Sequence, residues 1–365
     1  MRQCMEEQEI DHMKRQAGRL AAVCTLTMLL LCVSCTYRNP AAGEMPAERV
    51  QEEAQSTSGR MEVHFIDVGQ GDAALIICDG QTMLFDAGEN DKGVFLQFYL
   101  MEQGIDHLDY VIGSHPEADH IGGMDVVLLK YDCGKVMLPN LSVETATYAD
   151  VCDAMAYKDY VNTVPQVGET YALGEAFFTI IAPNREDYGE EVNNYSIGIK
   201  LVHGENTFLF TGDAESLAEK DMLDNGICLD ADVLKAGHHG SSDASCAEFV
   251  EAVSPKYAVI SCGKENDYGH PHKETLAALE AAGAKVYRTD EQGSIIAVSD
   301  GTDLVWETKA ETLWQGVYYV GNKNNRKLHR STCSSLPKEW NQVIFESKEE
   351  AAHAGFTDTC SGCRP

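Results

Sequence analysis

Short apolar runs bounded by turn residues dominate the chain from Met61 onward. Runs of strand length lie at 62–67, 73–78 and 82–86, and Asp79–Gly80 between the last two is a hairpin signal. Further strands are predicted at 110–113, 136–138, 177–181, 196–201, 207–210, 233–234, 257–261, 285–287 and 294–298. Helices are predicted over 93–101, 214–225, 245–253 and 273–282. Strands that alternate with helices predict a layered α/β domain.

The composition is that of a large acidic globular protein. The 365 residues are 44% hydrophobic and 24% charged, which is enough to bury a sizeable core. The chain carries 28 Lys and Arg against 58 Asp and Glu, so its formal net charge is −30. Such a protein repels polyanions at long range. This excludes a simple basic nucleic-acid coat protein but is compatible with a local basic or metal site.

The first 60 residues have the features of an export signal. Lys14 and Arg15 precede an apolar run over 20–33, which has the length of a signal-peptide core and is too short to span a bilayer. Cys35 at the end of this run resembles the lipidated cysteine of a bacterial lipoprotein. We therefore expect a lipoprotein signal peptide at 1–35, a flexible tether at 36–60 and attachment to the membrane through a lipid anchor. An ordinary secretory signal and an uncleaved anchor are the alternatives.

Histidines and carboxylates are concentrated where predicted strands end. Four of them follow the strand at 110–113 within six residues: His115, Glu117, Asp119 and His120. Others end or follow later strands: Asp213, His238, His239, His270 and His272. Imidazole and carboxylate ligands together suit Zn²⁺, Mn²⁺ or Fe. Because α/β active sites form at the carboxyl ends of strands, the pattern predicts a metal centre assembled from several loops.

Six runs of sequence together resemble the metallo-β-lactamase fold, and more narrowly the extracellular hydrolase domain of ComEC-type competence proteins. In chain order they are Asp67–Asp72, Phe85–Gly88, Ser114–Gly123, Phe210–Asp213, Leu234–Ser241 and Gly269–His272. The resemblance implies a fold of the α/β class over 61–317. Its architecture would be an αββα sandwich with a metal site at the sheet edge. Many members of this superfamily hydrolyse phosphodiesters, and ComEC-type domains are associated with DNA. We therefore expect a metal-dependent hydrolase.

The resemblance also implies roles for individual residues. The expected metal ligands, for two divalent ions (Zn²⁺ or Mn²⁺), are His115, Glu117, Asp119, His120, Asp213 and His238. Glu117 stands where the superfamily usually has histidine, and residues 193–196 replace the usual third-motif histidine. One site is therefore poorer in nitrogen, which favours Mn²⁺ or Mg²⁺ there, and a single ion or none is the alternative.

The expected catalytic residues are Asp119, His239, His270 and His272. Asp119 would orient the attacking water, and His239 competes with His238 for the role of ligand. A protonated His270 or His272, or else Ser241 with its neighbouring backbone amides, would neutralise developing charge. Asp67 and Asp72 either hold a loop around the ions or only shape the turns beside them, and Asp86 is expected to support a ligand rather than to bind metal.

The C-terminal residues 318–365 carry a second candidate metal site. Its ligands would be His329, Cys333, Cys360 and Cys363, a set that suits one structural Zn²⁺. The pattern resembles the small zinc-binding domain of the Ada DNA-repair protein. A disulfide among these cysteines is the alternative. An acid-free basic strip over 323–330 is expected to contact phosphates, unless it is only a solvated turn.

Three functions remain open at this point. The first is a cell-surface phosphodiesterase, a nuclease that acts on extracellular DNA. The second is a hydrolase of a small phosphoester or other ester, and the third is a non-catalytic lipoprotein that captures DNA through its zinc module. In each case the protein is exported, as a lipoprotein or in secreted form. No protein partner is inferred.

Overall fold

The computed structural model describes residues 59–309 and 317–365. The predicted signal peptide, including Cys35, and the predicted tether up to residue 58 lie outside the described residues. In the two described ranges, no helix has both the length and the apolar character needed to cross a bilayer.

Two seven-stranded sheets form the body of the protein. Strands β1 to β5, β13 and β14 of the first sheet are Met61–Phe65, Ala74–Cys78, Gln81–Phe85, His107–Ile112, Asp132–Met137, Ser294–Ser299 and Leu304–Lys309. Strands β6 to β12 of the second are Thr170–Leu173, Ala176–Ala182, Gly198–His203, Asn206–Phe210, Val233–Lys235, Tyr257–Ile260 and Lys285–Arg288. The spatial orders are β14-β13-β1-β2-β3-β4-β5 and β12-β11-β10-β9-β8-β7-β6. The runs β3 to β5 and β9 to β12 are parallel, so their carboxyl ends are brought together.

Helices cover the outer face of each sheet. Helices α1 to α8 of the body are Gly93–Glu102, Ala118–Ile121, Met124–Lys130, Ala146–Tyr157, Ser216–Asp224, Ala247–Val253, Lys273–Ala281 and Thr289–Gln292. Between the sheets, Phe65, Phe85, Phe178 and Phe210 belong to one buried cluster. Separate apolar clusters lie under α1, α3 and α4 on the first sheet and under α5, α6 and α7 on the second. The layers are αββα, which confirms the predicted fold class.

A four-stranded sheet at the C-terminus completes the described structure. Its strands β15 to β18 are Tyr319–Asn322, Lys327–Arg330, Gln342–Phe345 and Asp358–Thr359, in the order β17-β15-β16-β18, and its helix α9 is Lys348–His353. Phe345 and Phe356 are buried in the same apolar cluster as Leu96 and Leu100 of α1. This C-terminal module therefore shares a core with the body.

One buried side chain of α1 joins the two parts by hydrogen bonds. Gln97 Oε1 accepts from the backbone N–H of Ile344 at 2.7 Å, and its Nε2 donates to the carbonyl oxygen of Gln342 at 3.2 Å. These bonds satisfy backbone groups of β17, the edge strand that faces α1, which would otherwise be buried without partners.

Candidate metal centre

Loops at the carboxyl ends of strands carry the candidate ligands. β4 ends at Ile112, and the loop after it brings His115 to the sheet edge before the short helix α2, which contains Asp119 and His120. Asp213 follows β9, and the histidine pair 238–239 follows β10. The parallel strands thus deliver side chains that are far apart in sequence to one edge of the sandwich.

Four buried side chains converge at this edge: Asp72, His120, Asp213 and His239. One ligand atom from each lies within 4.8 Å of the others. The Nε2 atoms of His120 and His239 are 3.2 and 3.4 Å from Asp213 Oδ2. His239 Nδ1 is 3.3 Å from Asp72 Oδ1. We refer to these four residues as the buried ligand cluster.

The cluster contains polar atoms that form no hydrogen bond. Asp72 Oδ1, His120 Nε2 and Asp213 Oδ1 are all buried and form no hydrogen bond, although the first two lie within 3.3 Å of an oppositely charged group. Buried polar atoms without hydrogen bonds lower stability, so three in one place require an explanation. A divalent cation bonded to these atoms would satisfy them, and mixed nitrogen and oxygen ligands suit Zn²⁺ or Mn²⁺. The residues present therefore fit a metal ion.

Hydrogen bonds on the far side of each ring orient the two cluster histidines. His120 Nδ1 lies 2.9 Å from Asp86 Oδ2, and His239 Nδ1 lies 3.1 Å from the carbonyl oxygen of Ser261. Because these oxygens only accept, both Nδ1 atoms carry a proton and each Nε2 is directed at Asp213, while His239 Nδ1 also faces Asp72 Oδ1. Asp86 also accepts from the backbone N–H of Ser114 at 2.7 Å, so it supports a candidate ligand from outside the cluster.

Opposite charges compensate one another within the cluster. Burial alone would lower the pKa of His120 and of His239, but nearby carboxylates, above all Asp213, outweigh it and raise both pKa values well above their usual range. Burial would likewise raise the pKa of Asp213, but the two histidines hold that pKa well below its usual range. Protons and a cation therefore compete for the same Nε2 atoms.

A buried lysine fixes the orientation of Asp72. Lys235 Nζ donates to Asp72 Oδ2 at 2.8 Å and to the carbonyl oxygen of Ala236 at 3.0 Å, which leaves Asp72 Oδ1 for the cluster. The loop before Asp72 packs against Asp119, where a side chain in place of Gly71 would collide with the backbone carbonyl. Asp72 is thus placed among the candidate metal ligands, a position that the sequence left open. The role of Lys235 was not predicted from sequence, although this residue lies inside Leu234–Ser241, one of the six runs that resemble the superfamily.

The adjacent histidines 238 and 239 lie in different surroundings. His239 is buried in the cluster, whereas His238 is partly exposed, with its Nε2 3.7 Å from Asp213 Oδ2 and its Nδ1 3.8 Å from Glu215 Oε1. Both residues have left-handed φ angles, 49° and 53°, which are unfavourable for histidine and are typical of functional sites. The geometry favours His239 as the ligand and His238 as its neighbour, whereas the sequence favoured His238 and kept His239 as the alternative.

A second group of ligand atoms adjoins the cluster. His115 is buried with its ring centroid 4.2 Å from that of His120, and its unpartnered Nε2 is 3.9 Å from Glu117 Oε2. Asp119 Oδ2 lies between the two cluster histidines, 3.2 Å from His239 Nε2 and 3.9 Å from His120 Nε2. His115, Glu117 and Asp119 are therefore brought together, but beside the four-residue cluster rather than within it.

Polar side chains occupy the region where the superfamily usually has its third-motif histidine. Asn193 and Asn194 both donate to the carboxylate of Glu215, at 3.1 and 3.4 Å. Ser196 Oγ accepts from the backbone N–H of Asp213 at 3.1 Å and lies 3.3 Å from His115 Nδ1. These residues orient candidate ligands, and neither Ser196 nor Glu215 was identified in this role from sequence.

His270 and His272 have different surroundings, although their ring centroids are only 4.9 Å apart. His270 lines the cleft that opens onto the cluster, and burial followed by the charges of neighbouring histidines lowers its pKa to about 4. This low pKa favours the neutral form near pH 7, whereas the role expected from sequence was that of a protonated acid, which stays a prediction. His272 Nδ1 accepts from the backbone N–H of Ser242 at 2.9 Å, and its Nε2 donates to the carbonyl oxygen of Tyr268 at 3.2 Å. His272 thus fixes a loop and lies outside the cleft lining.

The C-terminal module brings its own candidate ligands together. One atom each from His329, Cys333, Cys360 and Cys363 lies within 4.8 Å of the others. None of the cysteines in the described ranges forms a disulfide. Backbone N–H groups of Cys363 and Gly362 lower the pKa of the Cys360 thiol to about 7, and burial lowers the pKa of His329. Thiolate and neutral imidazole are the forms that bind Zn²⁺.

The expected basic strip at 323–330 is not a free surface. Lys323 Nζ donates to Asp125 Oδ2 at 2.6 Å and to Asp150 Oδ2 at 2.8 Å, both on helices of the body. The guanidinium of Arg326 lies over the ring of Tyr157 at 3.7 Å. Two of the four cations of the strip therefore hold the module against the body, whereas the other two, Lys327 and Arg330, are exposed. Contact of the strip with phosphates stays a prediction.

Comparison with known proteins agrees with this geometry. The profile of the metallo-beta-lactamase superfamily matches residues 66–264. The chain belongs to this superfamily. The profile of the metal-binding domain of Ada matches residues 308–365. The protein is thus a hydrolase of the metallo-beta-lactamase superfamily, with a metal site in its body and an Ada-like Cys/His module at its C-terminus.

Several curated relatives are similar to the superfamily domain. The chain is 30% identical over 257 residues to ComE operon protein 3 of Bacillus subtilis, which covers 65% of this chain and 33% of that protein. It is 29% identical over 239 residues to Recombination protein 2 of Haemophilus influenzae, covering 64% and 28%. Competence protein ComA of Neisseria gonorrhoeae is 30% identical over 233 residues, covering 63% and 31%. The chain spans about a third of the length of these relatives.

Proposed function

We propose that this hydrolase is an exported, metal-dependent phosphodiesterase that cleaves DNA outside the cell. The observation that carries the proposal is the buried ligand cluster, in which Asp72 Oδ1, His120 Nε2 and Asp213 Oδ1 form no hydrogen bond, together with the open cleft that Asp213 and His239 line. The cleft has a volume of about 350 Å³, within the range of ligand sites. The names of the relatives, competence and recombination proteins, support DNA as the substrate.

Divalent ions held here would lower the pKa of a water molecule and stabilise the charge of a phosphodiester during displacement. We propose two ions, Zn²⁺ or Mn²⁺. The first would be held by the buried ligand cluster with Asp119, and the second by His115, Glu117 and the shared Asp213. The oxygen-rich second set favours Mn²⁺. One further Zn²⁺ in the C-terminal module would be structural.

The residues of the cleft would bind and orient the substrate around these ions. Asp119 lines the cleft, and its Oδ2 is 3.2 Å from His239 Nε2, so it is placed to orient the attacking water and to accept its proton. The lowered pKa of His270 favours a role as a neutral hydrogen-bond partner of the leaving oxygen rather than as a cation. Asp86 and the carbonyl oxygen of Ser261 keep the two cluster histidines in one tautomer throughout.

The location is part of the same proposal. A signal peptide with Cys35 as the lipidated residue would place the hydrolase on the outer side of a membrane, and a secreted form is the alternative. DNA or another phosphodiester is the proposed partner. The body is strongly acidic, so the cations in its cleft would be needed to admit a polyanion.

One assay separates this proposal from the other two functions. The purified protein is incubated with plasmid DNA and with bis(p-nitrophenyl) phosphate, each with Mn²⁺, Zn²⁺ or EDTA. We expect cleavage of both substrates with a divalent ion and of neither with EDTA. Turnover of the small ester alone would support a small-molecule hydrolase, and retention of DNA without turnover would support a capture protein.

A further inference from the structure

An exposed aromatic ring lies beside the metal centre. Tyr268, in the loop between β11 and α7, is 68% exposed and lines the same cleft as Asp119, Asp213 and His239. Single exposed apolar side chains are common on proteins. A large planar ring in a cleft that candidate metal ligands also line is, in contrast, placed to contact a bound substrate.

The backbone of this loop is fixed from two sides. His272 uses both ring nitrogens to connect the backbone of Ser242 to the carbonyl oxygen of Tyr268. Asn266 Nδ2 donates to the carbonyl oxygens of Gly263 and His270, at 2.9 and 2.7 Å, and its Oδ1 accepts from the His270 backbone N–H at 2.9 Å. The loop therefore keeps its shape without a bound ligand, which reduces the entropy lost on binding.

The same loop is connected to the metal centre. Gln70 Oε1 accepts from the backbone N–H of Gly263 at 3.1 Å, and Gln70 belongs to the turn that carries Asp72. The Tyr268 ring is stacked on the ring of His270, with centroids 5.5 Å apart and planes at 22°. His270 in turn is stacked on His239 of the cluster, at 6.2 Å and 29°. The three rings form a row from the buried cluster to solvent.

Building on the proposed function, we propose that Tyr268 is a stacking platform for the nucleobase next to the phosphodiester that is cleaved. One face of the ring packs on His270 and most of the ring surface is free, so a planar group can continue the row. Aromatic side chains bind bases of single strands in this way without selecting a sequence. Quaternary ammonium groups are bound by cages of several rings, whereas the cleft lining contains one exposed aromatic ring among the described residues. Tyr268 would thus make the cleft selective for nucleotides over other phosphoesters.

Equilibrium binding tests this inference independently of turnover. Calorimetry on the Mn²⁺-loaded protein compares thymidine 5′-monophosphate with 2-deoxyribose 5-phosphate, which lacks the base. We expect the nucleotide to bind about tenfold more tightly, which is within the contribution of one stacked base. Tyr268→Phe should keep this preference, and Tyr268→Ala should abolish it without changing the affinity for the sugar phosphate. Phe177→Ala, which removes an exposed ring outside the cleft lining, is the matched control and should keep the preference.

Any one of three results would overturn the inference. The first is a wild-type protein that shows no preference for the nucleotide, and the second is a preference that survives in Tyr268→Ala. The third is phosphocholine that binds more tightly than the nucleotide through Tyr268. A failure of the proposed function is seen separately, as a protein that binds these ligands but cleaves neither plasmid nor bis(p-nitrophenyl) phosphate.

Discussion

Replacing Lys323 by methionine tests whether the C-terminal module is an integral part of the hydrolase. Lys323 Nζ is the shared partner of Asp125 and Asp150, and the side chains of Lys323 and Asp125 are only 9% and 5% exposed. Burial raises the pKa of Asp125, and the charge of Lys323 opposes this rise. In Lys323→Met, Asp125 stays buried beside a second carboxylate and loses its counter-charge.

The magnitude follows from the burial of this pair. Removing one partner of a buried ion pair costs about 3–5 kcal/mol because the remaining charge is uncompensated. Asp150 is almost half exposed, so its contact adds little. We therefore expect Lys323→Met to lower the free energy of unfolding by about 3 kcal/mol. Lys327→Met, at an exposed lysine of the same module, is the control and should change it by less than about 0.5 kcal/mol.

Denaturation by guanidinium, followed by tryptophan fluorescence and by zinc release, measures the effect. Because module and body share a core, both probes should report one transition, and that transition should move to lower denaturant in Lys323→Met. Adding Asp125→Asn to Lys323→Met should recover part of the lost free energy of unfolding, since it removes the unpaired charge. The reasoning is refuted if Lys323→Met behaves like Lys327→Met, or if zinc leaves in an earlier transition while that of the body is unchanged.

Three other predictions concern the metals and the anchor. Lys235→Met should weaken Mn²⁺ binding by about 10–100-fold, measured by calorimetry, because Asp72 loses the partner that orients it; equal affinity would argue against Asp72 as a ligand. Cys360→Ser/Cys363→Ser should lose one equivalent of zinc and unfold at lower denaturant, and unchanged zinc content would show that the module site is not a zinc site. Cys35→Ala should release the protein from membranes in a fractionation assay, whereas unchanged attachment and mass would reject lipidation at this position.

Local patterns were sufficient to predict most elements of the sandwich. The helix expected at 93–101 is α1, Gly93–Glu102, and the strand expected at 207–210 is β9, Asn206–Phe210. Helix α4, Ala146–Tyr157, was missed because only Val151, Ala154 and Met155 are buried, which leaves a weak apolar periodicity. The strand β14, Leu304–Lys309, was also missed, as an edge strand with little burial.

The details of the site depend on contacts that sequence spacing does not contain. His238 and His239 are neighbours in sequence, and their left-handed backbone, which sequence spacing does not predict, accompanies the entry of His239 alone into the cluster. The pairing of Lys235 with Asp72 spans 163 residues. The basic residues of the module likewise looked free because their acidic partners, Asp125 and Asp150, are in distant helices of the body.

Metal content and hydrolysis measured on the same preparations test the central claim most directly. Wild-type protein, His120→Ala and the control His107→Ala, at an exposed histidine on β4, are analysed by elemental mass spectrometry and with bis(p-nitrophenyl) phosphate in Mn²⁺. If the buried ligand cluster binds the ion used for hydrolysis, His120→Ala loses at least one equivalent of metal and its rate falls to that of EDTA-treated wild type, while His107→Ala keeps both. A His120→Ala protein with wild-type metal content and wild-type rate would contradict the account.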